Sequence, residues 1–106
     1  VYGDGYQTRD FISVHDVAAA NVRAALQPKL ASGVANICTG RATSLRDVLT
    51  VFAGVFPAAP APQFLPARAG DILHSLGSPR AAERELGFVA RTSLADGLRE
   101  LCQSAA

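Results

Sequence analysis

Two short polar segments of the chain carry residue types that could bind a phosphorylated sugar. The first reads Gln7-Thr8-Arg9-Asp10-Phe11 and the second reads Arg68-Ala69-Gly70-Asp71. An arginine offers a rigid, planar set of N–H donors that matches phosphate oxygens, and a carboxylate accepts hydrogen bonds from sugar hydroxyls. Two such arginines in one cleft would hold a diphosphate, each charge-assisted hydrogen bond contributing roughly 1.5–3 kcal/mol once desolvated.

Taken alone, these residues favour a plainer interpretation. Arg9 can form a local ion pair with Asp10 at a strand edge, which is worth little if exposed. Arg68 and its neighbouring carboxylate can be solvated charges in a turn. The two histidines, His15 and His74, stand in neither a metal-ligand nor a catalytic-triad pattern. The residues by themselves therefore predict no metal site and no catalytic centre.

The composition describes one ordinary domain without a strongly charged partner. The chain has 106 residues, of which 49% are apolar and 18% charged, enough for one hydrophobic core. A net charge of +1 provides no field for nucleic acid, and no apolar run approaches the roughly 18 residues of a membrane span. Cys38 and Cys102 form no ligand spacing and are interpreted as small core residues in a reducing, cytoplasmic setting. The chain contains no methionine and opens at Val1 on a turn, which favours a piece of a longer protein.

The elements that must position the polar segments alternate between short strands and helices. Strands are predicted around Phe11–Val14, Ala35–Cys38 and Gln63–Leu65 from their apolar runs. Four helix starts follow from capping residues, namely Asp16 before Val17–Leu26, Ser44 with Asp47, Ser78 before Pro79, and Ser93 with Asp96. Pro28, the proline-rich stretch 57–62 and Gly87 end the first three helices. This alternation predicts an α/β fold, with α+β as the alternative.

Seven short motifs follow one another along the chain. They are Tyr2-Gly3-Asp4-Gly5, Gln7-Thr8-Arg9-Asp10-Phe11, Val14-His15-Asp16-Val17, Asn36-Ile37-Cys38-Thr39-Gly40, Arg68-x-Gly70-Asp71, Ser75-Leu76 and Arg84-Glu85-Leu86-Gly87. In this order they resemble the extended short-chain dehydrogenase/reductases, specifically the UDP-glucose 4-epimerase-like branch. The resemblance runs from Val1 to about Leu101 and depends on the order of the motifs, because each one alone is weak.

The resemblance implies that catalysis and nucleotide-sugar binding belong to different parts of the protein. In that family an N-terminal Rossmann domain binds NAD, and a Tyr-x-x-x-Lys pair with a Ser or Thr transfers the proton. The only tyrosines here are Tyr2 and Tyr6 and the only lysine is Lys29, so this pair is absent from the sequence. We therefore expect residues 1–106 to be the C-terminal nucleotide-sugar-binding domain, with no catalytic or cofactor-binding residue, NAD held by a preceding domain, and no turnover by this piece alone.

By motif position the resemblance assigns substrate contacts to the two polar segments and to the first residues of the chain. Arg9 and Arg68 are expected at the diphosphate of a UDP-sugar and Asp71 at a ribose hydroxyl. Val1 and Tyr2 are expected beside the uracil.

Ser75 is the sixth predicted substrate-binding residue. In similar epimerases, the position four residues beyond Asp71 borders the sugar pocket; a tyrosine there restricts the enzyme to plain hexoses, and a small residue leaves room for an N-acetyl group. A serine that faces backbone or water is the alternative. Asp10 is expected to brace Arg9, and Phe11 to lie in the core. The sequence departs from the family at Cys38, where glycine is common, and at Gly77, Ser78 and Ala81, where Ala-Asp and a lysine are frequent.

Three functions remain open at this point. The first is an NAD-dependent 4-epimerase of UDP-glucose and UDP-galactose, or of UDP-N-acetylhexosamines. The second is a related dehydratase, decarboxylase or reductase of nucleotide sugars, and the third is a stand-alone non-catalytic nucleotide-binding or interaction module. Family members are often homodimers, so a dimer is a candidate for the full-length protein, whereas nucleic acid and membrane partners are not expected.

Overall fold

The computed structural model describes residues 1–28 and 33–104, and this part of the chain contains four helices and one two-stranded sheet. In chain order the elements are β1 (Thr8–Arg9), α1 (Val14–Leu26), β2 (Thr43–Ser44), α2 (Leu45–Val55), α3 (Arg80–Leu86) and α4 (Leu94–Ser104). Strands β1 and β2 are antiparallel, and helix α2 packs against α4 while α1 packs against α3. The prediction of short strands with about four helices is confirmed.

Three of the predicted helix ends, at Ser44, Gly87 and Ser93, are confirmed. Ser44 accepts a hydrogen bond from the Asp47 amide at 3.1 Å, and the Asp47 carboxylate accepts from the Ser44 amide, which completes a capping box at α2. Gly87 closes α3 with φ of 62°, a left-handed conformation that glycine adopts without steric cost. The Ser93 hydroxyl accepts from the Asp96 amide at 3.1 Å where α4 begins.

The predicted start of α1 was wrong. Ser13, not Asp16, is its N-cap, because the Ser13 hydroxyl accepts from the amide of His15, and the helix already begins at Val14. The strand predicted over Phe11–Val14 therefore does not form; the strand of this region is β1. Asp16 is buried instead, and its carboxylate accepts from the amides of Arg91 and Thr92 at 3.2 and 3.0 Å, which ties α1 to the segment before α4.

Three further local predictions need correction. Residues 35–38 run without a strand partner among the described residues, so the predicted strand is absent although Cys38 is buried as expected. The Gln63–Leu65 segment contributes only an isolated parallel bridge between Leu65 and Tyr2. Pro79 takes the N-cap position of α3, and the Ser78 hydroxyl lies a long 3.5 Å from the Arg80 amide, too far for an effective cap.

The described residues form a thin layer with a small core. The radius of gyration is 16.2 Å, whereas a compact domain of about 100 residues has about 13 Å, and the shortest dimension is 17 Å. The buried apolar residues in the described part are Ala20, Cys38, Ala82 and Phe88. Phe11, expected in the core, is 36% exposed. Apolar side chains thus remain at the surface, and none of the described helices is long and apolar enough to cross a membrane.

Candidate functional site

The first nine residues of the chain lie alongside residues 63–75, and we call these two segments together the binding strip. At one end the Leu65 amide donates to Val1 at 2.7 Å and the Gly3 amide donates to Leu65 at 2.8 Å. At the other end Thr8 donates to the carbonyl of Leu73 at 2.8 Å and accepts from the Ser75 amide at 3.1 Å. All six predicted substrate-binding residues, which are Val1, Tyr2, Arg9, Arg68, Asp71 and Ser75, belong to this strip.

Arg68 lies over an aromatic ring of the opposite segment. Its guanidinium carbon is 4.3 Å from the centroid of the Tyr2 ring, a distance typical of a cation–π contact. Such a contact uses the face of the ring and none of the five N–H donors of the guanidinium. The Arg68 carbonyl accepts from the Asp71 amide at 3.3 Å across a turn in which Gly70 has φ of 83°. Tyr2, Arg68 and Asp71 are therefore neighbours, all exposed to solvent.

Arg9 is held against the same segment by carbonyl oxygens. One terminal nitrogen of its guanidinium donates to Thr8 at 2.7 Å and to Leu73 at 3.4 Å, and the other donates to Ile72 at 2.6 Å. Among the described residues these bonds account for three of its five donors. The remaining two donors are available to an anion, while the first three fix where the guanidinium stands.

Asp10 does not brace Arg9, contrary to the sequence-based prediction. Its carboxylate accepts from the Thr39 amide at 2.9 Å, the Thr39 hydroxyl at 2.6 Å and the Gly40 amide at 2.9 Å. Burial raises the pKa of Asp10, but the hydrogen bonds from the side chain and backbone of Thr39 and from the Gly40 and Gly77 amides outweigh it, so the pKa lies below its ordinary value. Asp10 therefore stays ionised at neutral pH and joins β1 to the segment before β2.

Cys38 and Gly77 are in close contact beneath this carboxylate. A Cβ added at Gly77 would lie 2.7 Å from the Cys38 sulfur and 3.0 Å from its Cβ. Burial first, and then the negative charge of Asp10, raise the pKa of the Cys38 thiol. The thiol is therefore a neutral packing group rather than a nucleophile.

Two residues near the binding strip make contacts that no sequence pattern predicted. Arg46, at the start of α2, lies over the rings of Tyr6 at 4.6 Å and Phe64 at 4.9 Å, and its side chain also donates to the Asp4 carbonyl 42 positions away. His74 shares a 2.8 Å hydrogen bond between its Nδ1 and the Thr8 hydroxyl. No local pattern points to either contact, because every partner is distant in sequence.

A separate groove of about 240 Å³ lies between the start of α1 and α4. Its lining is mostly apolar and includes Phe11, Val14, Leu98 and Leu101, and at its rim His15 lies 3.7 Å from Glu100, with both side chains exposed. None of the six predicted binding residues lines it. Within residues 1–28 and 33–104, no three His, Cys, Asp or Glu side chains are grouped as metal ligands.

Comparison with known proteins identifies relatives over nearly the whole chain, although no protein-family model matches it. The chain is 38% identical to a UDP-glucose 4-epimerase of Mycolicibacterium smegmatis, over 92% of the chain and 31% of that protein. It is 36% identical to a dTDP-L-rhamnose 4-epimerase of Burkholderia thailandensis, over 95% of the chain and 28% of that protein. The solved structure of MoeE5 in complex with UDP-glucuronic acid and NAD has a TM-score of 0.89 and 37% identity, over 100% of this chain and 36% of that one. The chain thus spans about a third of the length of the relatives it matches.

Proposed function

We propose that the chain belongs to the NAD-dependent nucleotide-sugar epimerases, of whose length it spans about a third, and that it is the part that holds the nucleotide of the substrate. One observation carries this proposal: two arginines and a carboxylate, Arg9, Arg68 and Asp71, lie on one strip, with Arg68 and Asp71 exposed and Arg9 half-buried. Guanidinium groups suit the oxygens of a diphosphate, and the carboxylate suits a ribose hydroxyl.

The preorganisation of the two arginines supports this assignment. Arg68 is supported by the Tyr2 ring, and Arg9 is fixed by three carbonyl oxygens, so neither side chain has to lose all of its freedom when a diphosphate binds. Arg68 keeps all of its N–H donors in this contact, and Arg9 keeps two. Val1 and Tyr2 stand at the end of the strip, where we place the base.

We assign NAD to a part of the intact protein outside this chain. The described residues offer no glycine-rich loop between a strand and a helix that would cradle a dinucleotide, and the chain has no Tyr-x-x-x-Lys pair. Bound NAD would supply hydride transfer at the sugar, and this chain would hold the nucleotide. We expect no turnover by the 106-residue chain alone.

The favoured reaction is 4-epimerisation of a UDP-hexose, because the relatives named by their activity are 4-epimerases of UDP-glucose and of dTDP-L-rhamnose. Because the second relative is named for a thymine nucleotide, a dTDP-sugar is the alternative substrate. Incubating the intact protein with UDP-glucose, UDP-N-acetylglucosamine and dTDP-glucose, followed by chromatography of the products, tests the proposal. We expect a C4 epimer from at least one of them; loss of water or net consumption of reduced cofactor would instead indicate a dehydratase or a reductase. UDP-glucuronic acid, which unlike the other three carries a carboxylate on the sugar, is added to the panel, and loss of carbon dioxide from it would indicate a decarboxylase.

Ser75 is proposed to border the sugar pocket. It is exposed at the end of the strip, and its backbone is fixed by the hydrogen bond to Thr8. A small side chain at this place leaves room for an N-acetyl group. We expect Ser75→Tyr to lower turnover of UDP-N-acetylglucosamine much more than that of UDP-glucose, and equal tolerance of both sugars by the variant would refute the role. Ser78→Tyr, also at an exposed serine, is the control for a bulky residue in general.

A further inference from the structure

We propose that Asp10 is a positioning residue for the nucleotide-sugar site, because its carboxylate fixes the strand that carries Arg9 against the segment that carries Ser75. The proposal rests on the proposed function of the binding strip. It differs from an ion pair with Arg9, since the partners of Asp10 are the amides and hydroxyl of residues 39 and 40.

The carboxylate is the meeting point of three distant segments. One oxygen accepts from both donors of Thr39 and the other accepts from the Gly40 amide, 29 and 30 positions along the chain. The second oxygen also lies 3.8 Å from the place where a Cβ of Gly77 would stand, so residue 77 packs directly on it. Asp10 therefore touches both the segment that leads into β2 and the segment that follows the binding strip.

Arg9 and Asp10, although adjacent, hold the same segment at two points. Arg9 donates to the carbonyl oxygens of Ile72 and Leu73, and Asp10 contacts Gly77, four residues beyond Leu73. Between these two points lies Ser75, whose amide donates to Thr8. A shift of Asp10 would therefore move Arg9 relative to residues 72–77. Loss of the Asp10 carboxylate would then misplace the groups that contact the phosphates and the sugar.

The site is built for a carboxylate and not for an amide. Every identified partner of Asp10 donates a hydrogen bond, so Asn at this position would turn an amide nitrogen toward an N–H donor. The matched control is Asp47, whose carboxylate accepts from the Ser44 amide in the α2 capping box without contacting residues 72–77. Asp10→Asn and Asp47→Asn remove the same charge, and only the first alters the segment that carries Ser75.

The test measures UDP binding to the intact enzyme by titration calorimetry, together with KM and kcat for UDP-glucose. We expect Asp10→Asn to weaken UDP binding by roughly tenfold, the equivalent of one lost net hydrogen bond, with KM raised and kcat changed less than twofold. Asp47→Asn is expected to leave the Kd unchanged even where it lowers the melting temperature. If Asp10→Asn does not fold, Thr39→Val removes one donor to the same carboxylate and is expected to weaken UDP binding about threefold.

The outcomes separate this proposal from the proposed function. If the wild-type protein binds UDP and the Asp10→Asn variant binds it with the same Kd, the positioning role is overturned while the proposed function stands. Where Asp10→Asn does not fold, an unchanged Kd in Thr39→Val has the same meaning. An equal loss of affinity in Asp10→Asn and Asp47→Asn also overturns the positioning role, because the effect would then be general destabilisation. Absence of UDP binding by the wild-type enzyme overturns the proposed function and this inference with it.

Discussion

A substitution at Gly77 tests the packing beneath the binding strip with a defined magnitude. The φ angle of Gly77 lies outside the left-handed region, so replacing it by alanine introduces no backbone strain, only the contact of the new methyl group with Cys38 at 2.7 Å from sulfur. Overpacking of this kind costs typically about 1–3 kcal/mol. We expect Gly77→Ala to lower the free energy of unfolding by that amount.

The loss of stability caused by Gly77→Ala must depend on the size of the side chain at position 38. In a Cys38→Ala background the sulfur is gone but the Cβ remains 3.0 Å away, so the cost of Gly77→Ala should fall. In a Cys38→Gly background it should nearly vanish, which corresponds to a coupling energy of about 1–3 kcal/mol between the two positions. Urea denaturation of the intact protein and of the five variants (three single and two double), followed by circular dichroism, measures both quantities.

Gly54 in α2 provides the control, because an added Cβ there meets nothing within 4 Å. Gly54→Ala should stabilise the helix by about 0.5–1 kcal/mol. A neutral Gly77→Ala, or a cost that is the same in the wild-type and Cys38→Gly backgrounds, would refute the steric account. The larger residue stands at position 38 and the smaller at position 77, so the double substitution of Cys38→Gly with Gly77→Ala is the one expected to be tolerated.

Three further predictions follow from caps, thiols and titration. Ser44→Ala should cost about 0.5–2 kcal/mol of stability and Ser78→Ala almost nothing, measured in the same urea titration, because only Ser44 caps its helix; equal costs would contradict this. Iodoacetamide at pH 8 should label Cys102 before Cys38, as mass spectrometry of peptides would show, because Cys38 is buried and the pKa of its thiol is raised; faster labelling of Cys38 would contradict this. The stability advantage of wild type over Asp10→Asn should be full above the ordinary pKa near 3.8 and be lost as the pH falls through the lower folded-state pKa, and an advantage that does not fall on acidification would refute it.

The features that could be predicted from the sequence are those whose partners are close along the chain. The capping box of Ser44 and Asp47 and the left-handed Gly87 are decided by residues three or four positions apart, and both were correct. The predicted start of α1 was wrong because two residues only three positions apart, Ser13 and Asp16, can both cap a helix, and the Asp16 carboxylate is instead buried against the amides of Arg91 and Thr92.

The site itself could be predicted only in outline. The resemblance placed Arg9, Arg68 and Asp71 together, and the structure brings their segments side by side. It did not predict the contacts that hold them, because the Tyr2 ring under Arg68 and the donors of Thr39 around Asp10 are 66 and 29 positions away in the sequence. Local patterns carry no information on such pairs, and a run such as 35–38 becomes a strand only if another strand lies beside it.

The measurement that tests the central claim most directly is the affinity of the intact protein for UDP with and without Arg68. Removing one desolvated charge-assisted contact to the diphosphate costs roughly 1.5–3 kcal/mol, so Arg68→Ala should weaken binding by about ten- to a hundredfold in titration calorimetry. Arg84→Ala, at an exposed arginine on α3 paired with Glu85, should leave the Kd unchanged. Equal affinities of wild type and Arg68→Ala for UDP would contradict the assignment of the binding strip to the nucleotide.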